Sequence, residues 1–392
     1  MTVLGTGDPN YKKSQQRLIT IPLHHASSGP SLPNTTVLNL NANRAHAIAV
    51  SMLPTPTRVI VKTLLKTLLQ ILCKLWRWAS SFLVLICLAA WFYGGFLPYF
   101  LTVMGFLSLG YNMSDYLLYQ PDFPPESRIF VASPDQFGMP FEEIWIHTKD
   151  RVKLHAYLIK QQVPNGRSIP VMIFFHGNAG NIGSRLENAS MIYKDIRCHI
   201  LLLEYRGYGH SDGTASENGL YMDAQAAFEF IDAREDLDSK KIFLFGRSLG
   251  GAVVIDLASR CDFRDRVAAI IVENTFSNIP SIARHLFPIR AVRWLPKFCY
   301  KNKFDSYNKI SSVVSPCLFI CGTEDEMIPE SMMTELYNKC SSSMKRLIRF
   351  AGGHNDTWLC DKSYPSKISE FISEALDADR RPSFHNYSDN VV

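Results

Sequence analysis

An α/β architecture built on a mostly parallel sheet flanked by helices is the fold this sequence predicts, and three observations carry it. Short apolar runs alternate with helix-compatible segments from about residue 141 onward. One of those runs, 241–245, passes directly into Gly246-Arg247-Ser248-Leu249-Gly250 and then into small residues suited to a helix. Two later strands are followed by loops rich in acid or carrying histidine, on the edge where parallel sheets gather their sites.

Taken in order, residues 1–57 are rich in Ser, Thr, Asn, Pro and Gly without sustained periodicity, and are expected to be disordered. No apolar run near the start suggests a cleaved signal peptide. Residues 58–78 place leucines at helical spacing among Lys62, Lys66, Lys74 and Arg77, the pattern of a basic amphipathic segment in a membrane interface; an ordinary surface helix is the alternative. Residues 82–110 contain no charge. At about 1.5 Å per residue that run exceeds the roughly 30 Å apolar thickness of a bilayer, so a single transmembrane segment is expected, kinked at Gly94, Gly95 or Pro98. Because the cations precede it and Arg128 is the first basic residue after it, the positive-inside tendency places the N-terminus in the cytoplasm and the following domain in the lumen or exterior.

The catalytic domain is expected over 126–378. Residues 141–148 and 152–159 read as an antiparallel hairpin joined at Lys149-Asp150-Arg151. Strands at 171–175, 199–204, 241–245 and 267–272 then alternate with helices near 184–194, 217–233 and 250–260, the order that builds parallel βαβ units. About 280–305 the chain is dense in Phe, Trp, Tyr, Arg and Lys, which suggests a small lid whose apolar face admits an acyl chain while its cations meet lipid headgroups. A basic loop packed on the sheet fits the same composition. Strands at 316–321 and 345–350 and a helix at 366–376 complete the domain, and 379–392 reads as a disordered tail.

Glycine at 246 and 250 suits an abrupt strand-to-helix turn, because a side chain there would meet the neighbouring strand or the first helical turn. Ser248 at the apex is then held in a strained pose with its hydroxyl above the sheet, the Gly-x-Ser-x-Gly elbow; a plain helix N-cap is the competing explanation. A serine hydroxyl needs a base to take its proton and an acid to orient that base. His354 lies after the strand 345–350 and Asp325 after the strand 316–321, in the order Ser, acid, His. Glu324 and Glu326 match Asp325 by charge alone, and Glu273 at the end of 267–272 is a further rival acid. His176, His199, His210 and His285 compete with His354 but are less well placed.

An oxyanion hole is the third requirement. The run 171–175 ends in His176-Gly177-Asn178-Ala179-Gly180, which resembles the loop that supplies one of the two donors beside a nucleophile elbow; here the donors would be the amides of Asn178 and Leu249. Gly177, Gly180 and Gly183 also resemble a nucleotide-binding loop, with Glu204 where a ribose-binding acid would stand. The close first glycine pair is missing, however, and that reading leaves Ser248, Asp325 and His354 unused. Neither a Gly-Lys-Ser/Thr loop nor His-Glu-x-x-His occurs.

These motifs carry a family resemblance. His176-Gly-Asn-Ala-Gly-Asn-Ile-Gly183, Tyr205-Arg-Gly-Tyr-Gly209, the segment from Phe243 to Ala252, Val272-Glu-Asn-Thr-Phe276 and Gly353-His-Asn-Asp-Thr-Trp358 together resemble the BEM46-type branch of the α/β-hydrolases. The resemblance covers roughly 82–378 and implies an α/β-hydrolase fold with Ser248, Asp325 and His354 as its triad. Related branches include protein depalmitoylases and lipid-ester hydrolases. The first 80 residues do not match, and Glu204 stands where relatives often have aspartate.

Composition agrees with a membrane-attached hydrolase. Of the net charge of +5, residues 1–80 carry +8, so the rest is slightly acidic and offers no basis for nucleic-acid binding. Nine cysteines without paired spacing indicate neither a disulfide scaffold nor a metal site. Sequons at Asn188, Asn355 and Asn386 would be usable in a lumenal domain. The expected activity is cleavage of an acyl ester or thioester of a lipid or acylated protein, palmitoyl thioesters included, through an acyl-serine and without cofactor. A peptidase of the same fold, or a noncatalytic lipid- or protein-binding scaffold, are the alternatives.

Overall fold

The computed structural model describes residues 81–379, apart from 83, 91, 93, 95, 165, 288 and 289. The segments 1–57 and 58–78, the tail beyond 379 and the sequon at Asn386 lie outside the described residues. Eight strands form one sheet: β1 (Phe141–His147), β2 (Lys153–Ile159), β3 (Val171–Phe175), β4 (His199–Leu203), β5 (Ile242–Arg247), β6 (Ala269–Glu273), β7 (Cys317–Gly322) and β8 (Lys345–Phe350). Their spatial order is β1-β2-β4-β3-β5-β6-β7-β8. β1 pairs antiparallel with β2 from Phe141 opposite Ile159 to His147 opposite Lys153, and β2 pairs antiparallel with β4. The remaining pairs are parallel. The expected hairpin and parallel sheet are therefore present.

The central strands are apolar throughout because both faces are covered. In β3, Val171, Ile173 and Phe175 enter one core while Met172 and Phe174 enter the other. The first core is closed by α3 (Glu217–Asp232), α4 (Leu249–Ser259) and α8 (Glu330–Lys339). The second is closed by α2 (Leu186–Met191) and α10 (Tyr364–Asp379), whose Ile368, Phe371 and Ala375 recur on one helical face. Each fully buried Val, Leu, Ile, Phe or Met side chain contributes about 1.5–3 kcal/mol, so the two layers hold the sheet beneath its loops.

Within the run 82–110, expected as one transmembrane segment kinked at Gly94, Gly95 or Pro98, the described helix breaks at Gly94. Residues 84–90 are helical, but Gly94 has φ +47° and α1 begins only at Phe96, running on to Leu118. Glycine adopts that left-handed conformation without penalty and interrupts the helix. The last turns of α1 carry Asn112, Ser114 and Asp115, and Asn302 Nδ2 donates to Asp115 Oδ1 at 2.6 Å, which draws this end of α1 onto the domain. Among the described residues no helix is long and apolar enough to cross a membrane.

Between β6 and β7 the chain leaves the sheet as α5 (Ile279–Leu286), α6 (Arg290–Trp294) and a 3-10 turn at Lys297–Cys299. Its two limbs meet at a neck where Ile279 N donates to Lys303 O at 2.8 Å and Tyr307 N to Ser277 O at 2.9 Å. α7 (Ser306–Lys309) then leads back to β7, and α9 (Thr357–Cys360) follows β8.

Candidate active site

Strand order reverses on either side of β3: the chain steps outward to β4 and then returns to lay down β5 on the other flank. The crevice at the carboxyl ends of β3 and β5 is where sheets of this topology bind ligands, and Ser248 stands there immediately after β5. Its backbone has φ +56° and ψ −118°, a strained combination for a residue with a side chain. Three bonds hold it: Ser248 N donates to Glu273 O at 2.9 Å, while Ser248 O accepts from Gly251 N at 3.0 Å and from Thr275 Oγ1 at 2.7 Å.

Gly250 explains how the neighbouring loop comes so close. A Cβ at this position would collide with the carbonyl oxygen of Phe175 at the end of β3. Its absence lets the first turn of α4 press against that strand, and a Cβ on Gly177 would then lie only 3.6 Å from Ser248 Cβ. The adjacent Asn178 spends its other groups on the fold. Its carbonyl accepts from Gln120 N and from Tyr208 Oη, both at 2.9 Å, and its side chain donates to Leu118 O at 3.1 Å. Among the described residues its N–H has no acceptor. Leu249, first residue of α4, likewise has no acceptor a turn earlier in its helix. Both amides are thus available beside Ser248, at a helix N-terminus that favours negative charge.

His354 Nδ1 lies 2.8 Å from Asp325 Oδ2. The other carboxylate oxygen of Asp325 accepts from the amides of Met327 and Ile328, each at 2.9 Å, so the acid is clamped in one orientation. Asp325 and His354 are brought together as expected. The Ser248 hydroxyl makes no hydrogen bond among the described residues, to His354 or to any other group.

The rivals have other roles. Glu273 is fully buried and committed elsewhere: it takes Arg247 Nε at 3.0 Å and Nη2 at 2.8 Å, Tyr364 Oη at 3.1 Å, and the Thr357 hydroxyl. Burial works against the Arg247 charge, but the field and hydrogen bonds of Glu273 outweigh it and hold the guanidinium pKa above its ordinary value. His176 is sealed behind the loop, Nδ1 2.7 Å from Gly177 O and Nε2 3.1 Å from Glu204 without hydrogen-bond alignment. Glu204 also accepts from Ile182 N at 3.0 Å and so supports the turn after Asn178 rather than a ribose. His199 bonds Gly166 O, and His210 and His285 are exposed. Among the described residues no group of His, Cys, Asp and Glu is arranged to hold a metal, and the eight cysteines described are free.

Asn188 corrects a further expectation. The side chain is 2% exposed, with Oδ1 accepting from Arg247 Nη2 at 2.9 Å, so the folded protein cannot carry a glycan there. Asn355 is exposed. The buried assembly of Arg247, Glu273, Asn188, Thr357 and Tyr364 escaped sequence reasoning. The one available signal was that Arg247 and Glu273 both end apolar strands, where an unpaired charge would be costly.

Residues 170–293 match a family described as alpha/beta hydrolase fold, and residues 273–355 match one described as serine hydrolase (FSH1). The chain is 37% identical to protein bem46 of Schizosaccharomyces pombe over 70% of its own length and 89% of that protein's. It is 34% identical to an uncharacterized membrane protein of Saccharomyces cerevisiae, over 72% and 96% of the two chains. The esterase Pf2001 of Pyrococcus furiosus superposes with a TM-score of 0.52 at 18% identity, covering 62% of this chain and 95% of that one. Fold and family matches together define an α/β-hydrolase of the serine-hydrolase type. Within that class, the chain belongs to the Bem46-type family.

Proposed function

We propose that the protein is a membrane-attached serine hydrolase that cleaves an acyl ester or thioester of a lipid or acylated protein. The observation that carries this reading is the clamped Asp325–His354 pair at 2.8 Å, on the same sheet edge as a serine held at positive φ. His354 Nε2 takes the Ser248 proton as Oγ attacks the carbonyl carbon. The developing oxyanion is met by the amides of Asn178 and Leu249. The alcohol or thiol leaves with the proton from His354, and water, activated by the same nitrogen, then hydrolyses the acyl-serine. The Ser248–His354 hydrogen bond would form as substrate binds, because catalytic hydrogen bonds often tighten only then.

Two surfaces support attachment to a bilayer. Phe82, Leu85, Phe92, Phe96 and Val103 are exposed along the segment before the sheet. On the lid, Trp294 is 81% and Phe298 78% exposed, and the stretch 279–304 holds six Lys or Arg without one acid. Exposed aromatics among cations suit an interface with anionic headgroups. The charge difference across 82–110 favours a cytoplasmic N-terminus with the hydrolase domain lumenal or exterior.

The decisive test is labelling of the full chain in membranes with a fluorophosphonate, with Ser248→Ala beside it, followed by turnover of acyl esters and thioesters. Wild type should label and Ser248→Ala should not, with turnover lower by a factor on the order of 10⁶. Equal labelling and turnover in the two proteins would reject the reading.

A further inference from the structure

Asn274 follows Glu273 at the end of β6 and is 2% exposed. Its backbone has φ +46°, a conformation asparagine tolerates better than other residues with side chains. A buried asparagine that only closes a turn bonds its own backbone a residue or two away. This one does not. Its Nδ2 donates to Gly353 O at 3.1 Å and to His354 O at 3.0 Å, its Oδ1 accepts from Gly322 N at 2.7 Å, and its amide donates to Ile320 O at 3.0 Å. The next residue, Thr275, donates to the carbonyl of Ser248.

Gly322 ends β7, three residues before Asp325; His354 lies beyond β8; Ser248 follows β5. The three loops share no strand, and their relative placement is fixed where they touch a common element. We infer that Asn274 is a positioning residue that sets the His354 loop against the Asp325 loop, while Thr275 ties the same dipeptide to Ser248. Asn274 takes no part in the chemistry. Its amide fixes the main chain from which the imidazole projects, and so the reach of Nε2 toward Ser248. This inference rests on the hydrolytic reading of Ser248, Asp325 and His354.

Two variants of the full-length protein separate positioning from mere support. Asn274→Gly accepts the positive φ without strain and removes both arms. Asn274→Asp keeps an acceptor for Gly322 N but turns the donor facing the two carbonyls into another acceptor. With p-nitrophenyl butyrate, each variant should lose roughly 10²-fold in kcat with KM within about twofold, the loss expected when a reacting group is displaced by about 1 Å. The fluorophosphonate labelling rate should fall in parallel, while circular dichroism shows folded protein. Should the glycine variant fail to fold, the aspartate variant decides. Wild-type kcat per folded molecule in either variant, or failure of both to fold, would overturn the inference and leave Asn274 a structural residue. An inactive, unlabelled wild type would instead overturn the hydrolytic reading itself, so the two failures are distinguishable.

Discussion

Arg247 and Glu273 face each other across the β5–β6 ladder and form an ion pair at 2.8 Å with almost no contact with water. One immediately precedes the candidate nucleophile, and the other supplies the carbonyl that holds its amide. Through Thr357 the same carboxylate also reaches the helix that follows His354. Removing one partner leaves the other as a buried, uncompensated charge. Glu273→Ala should therefore lower stability by about 3–5 kcal/mol, read as a shift in the urea midpoint; a loss below 1 kcal/mol would mean that the pair is hydrated.

Asp325 lends itself to a cleaner separation of chemistry from stability. In Asp325→Asn the amide oxygen can still accept from Met327 and Ile328, so the melting temperature should move by only a few degrees. The imidazole, however, loses the partner that fixes its tautomer, and kcat should fall by a factor on the order of 10⁴. Retention of kcat within tenfold would point to another acid.

Acid stability has a source remote from the site. Hydrogen bonds from Arg206, at 2.7 and 3.0 Å, hold the Asp150 carboxyl down at about 2 from an ordinary 3.8. Because the folded value is the lower one, this contribution is fully present above about pH 4 and is lost as pH falls toward 2. More than a third of the side chain is exposed, so the effect is small. Asp150→Asn should flatten the stability profile between pH 4 and 2, measured by urea titration at each pH, while leaving its shape above pH 5 unchanged.

The lid surface predicts a dependence on how substrate is presented. Replacing Trp294 and Phe298 together by serine removes two exposed aromatics worth about 1.5–3 kcal/mol each when buried. Hydrolysis of an ester embedded in vesicles containing phosphatidylserine should fall at least roughly tenfold more than hydrolysis of a soluble ester, and added salt should narrow the difference. Equal losses on both substrates would remove the lid from membrane contact.

Much of the site was legible because its geometry is forced by local sterics. Gly250 can only be glycine where α4 meets the carbonyl of Phe175, and that restriction writes the elbow into the chain. The strand pattern was equally plain, since residues buried on both faces leave unbroken apolar runs. What stayed hidden depends on register. Arg247 and Glu273 meet only through the β5–β6 alignment, and Asn274 gains its partners from the end of β7 and the loop after β8, far away along the chain. Asn188 read as a glycan acceptor because nothing in Asn-Ala-Ser reveals that α2 turns it inward. The break at Gly94 was legible, since glycine takes a positive φ without penalty.

The neck at Ile279 and Lys303 has an evolutionary consequence. An excursion whose ends are already stitched together behaves as an exchangeable cassette, because its contents can be rewritten without moving the strands on either side. Substitutions inside it leave Ser277 and Tyr307, and with them the ends of β6 and β7, tied where they are.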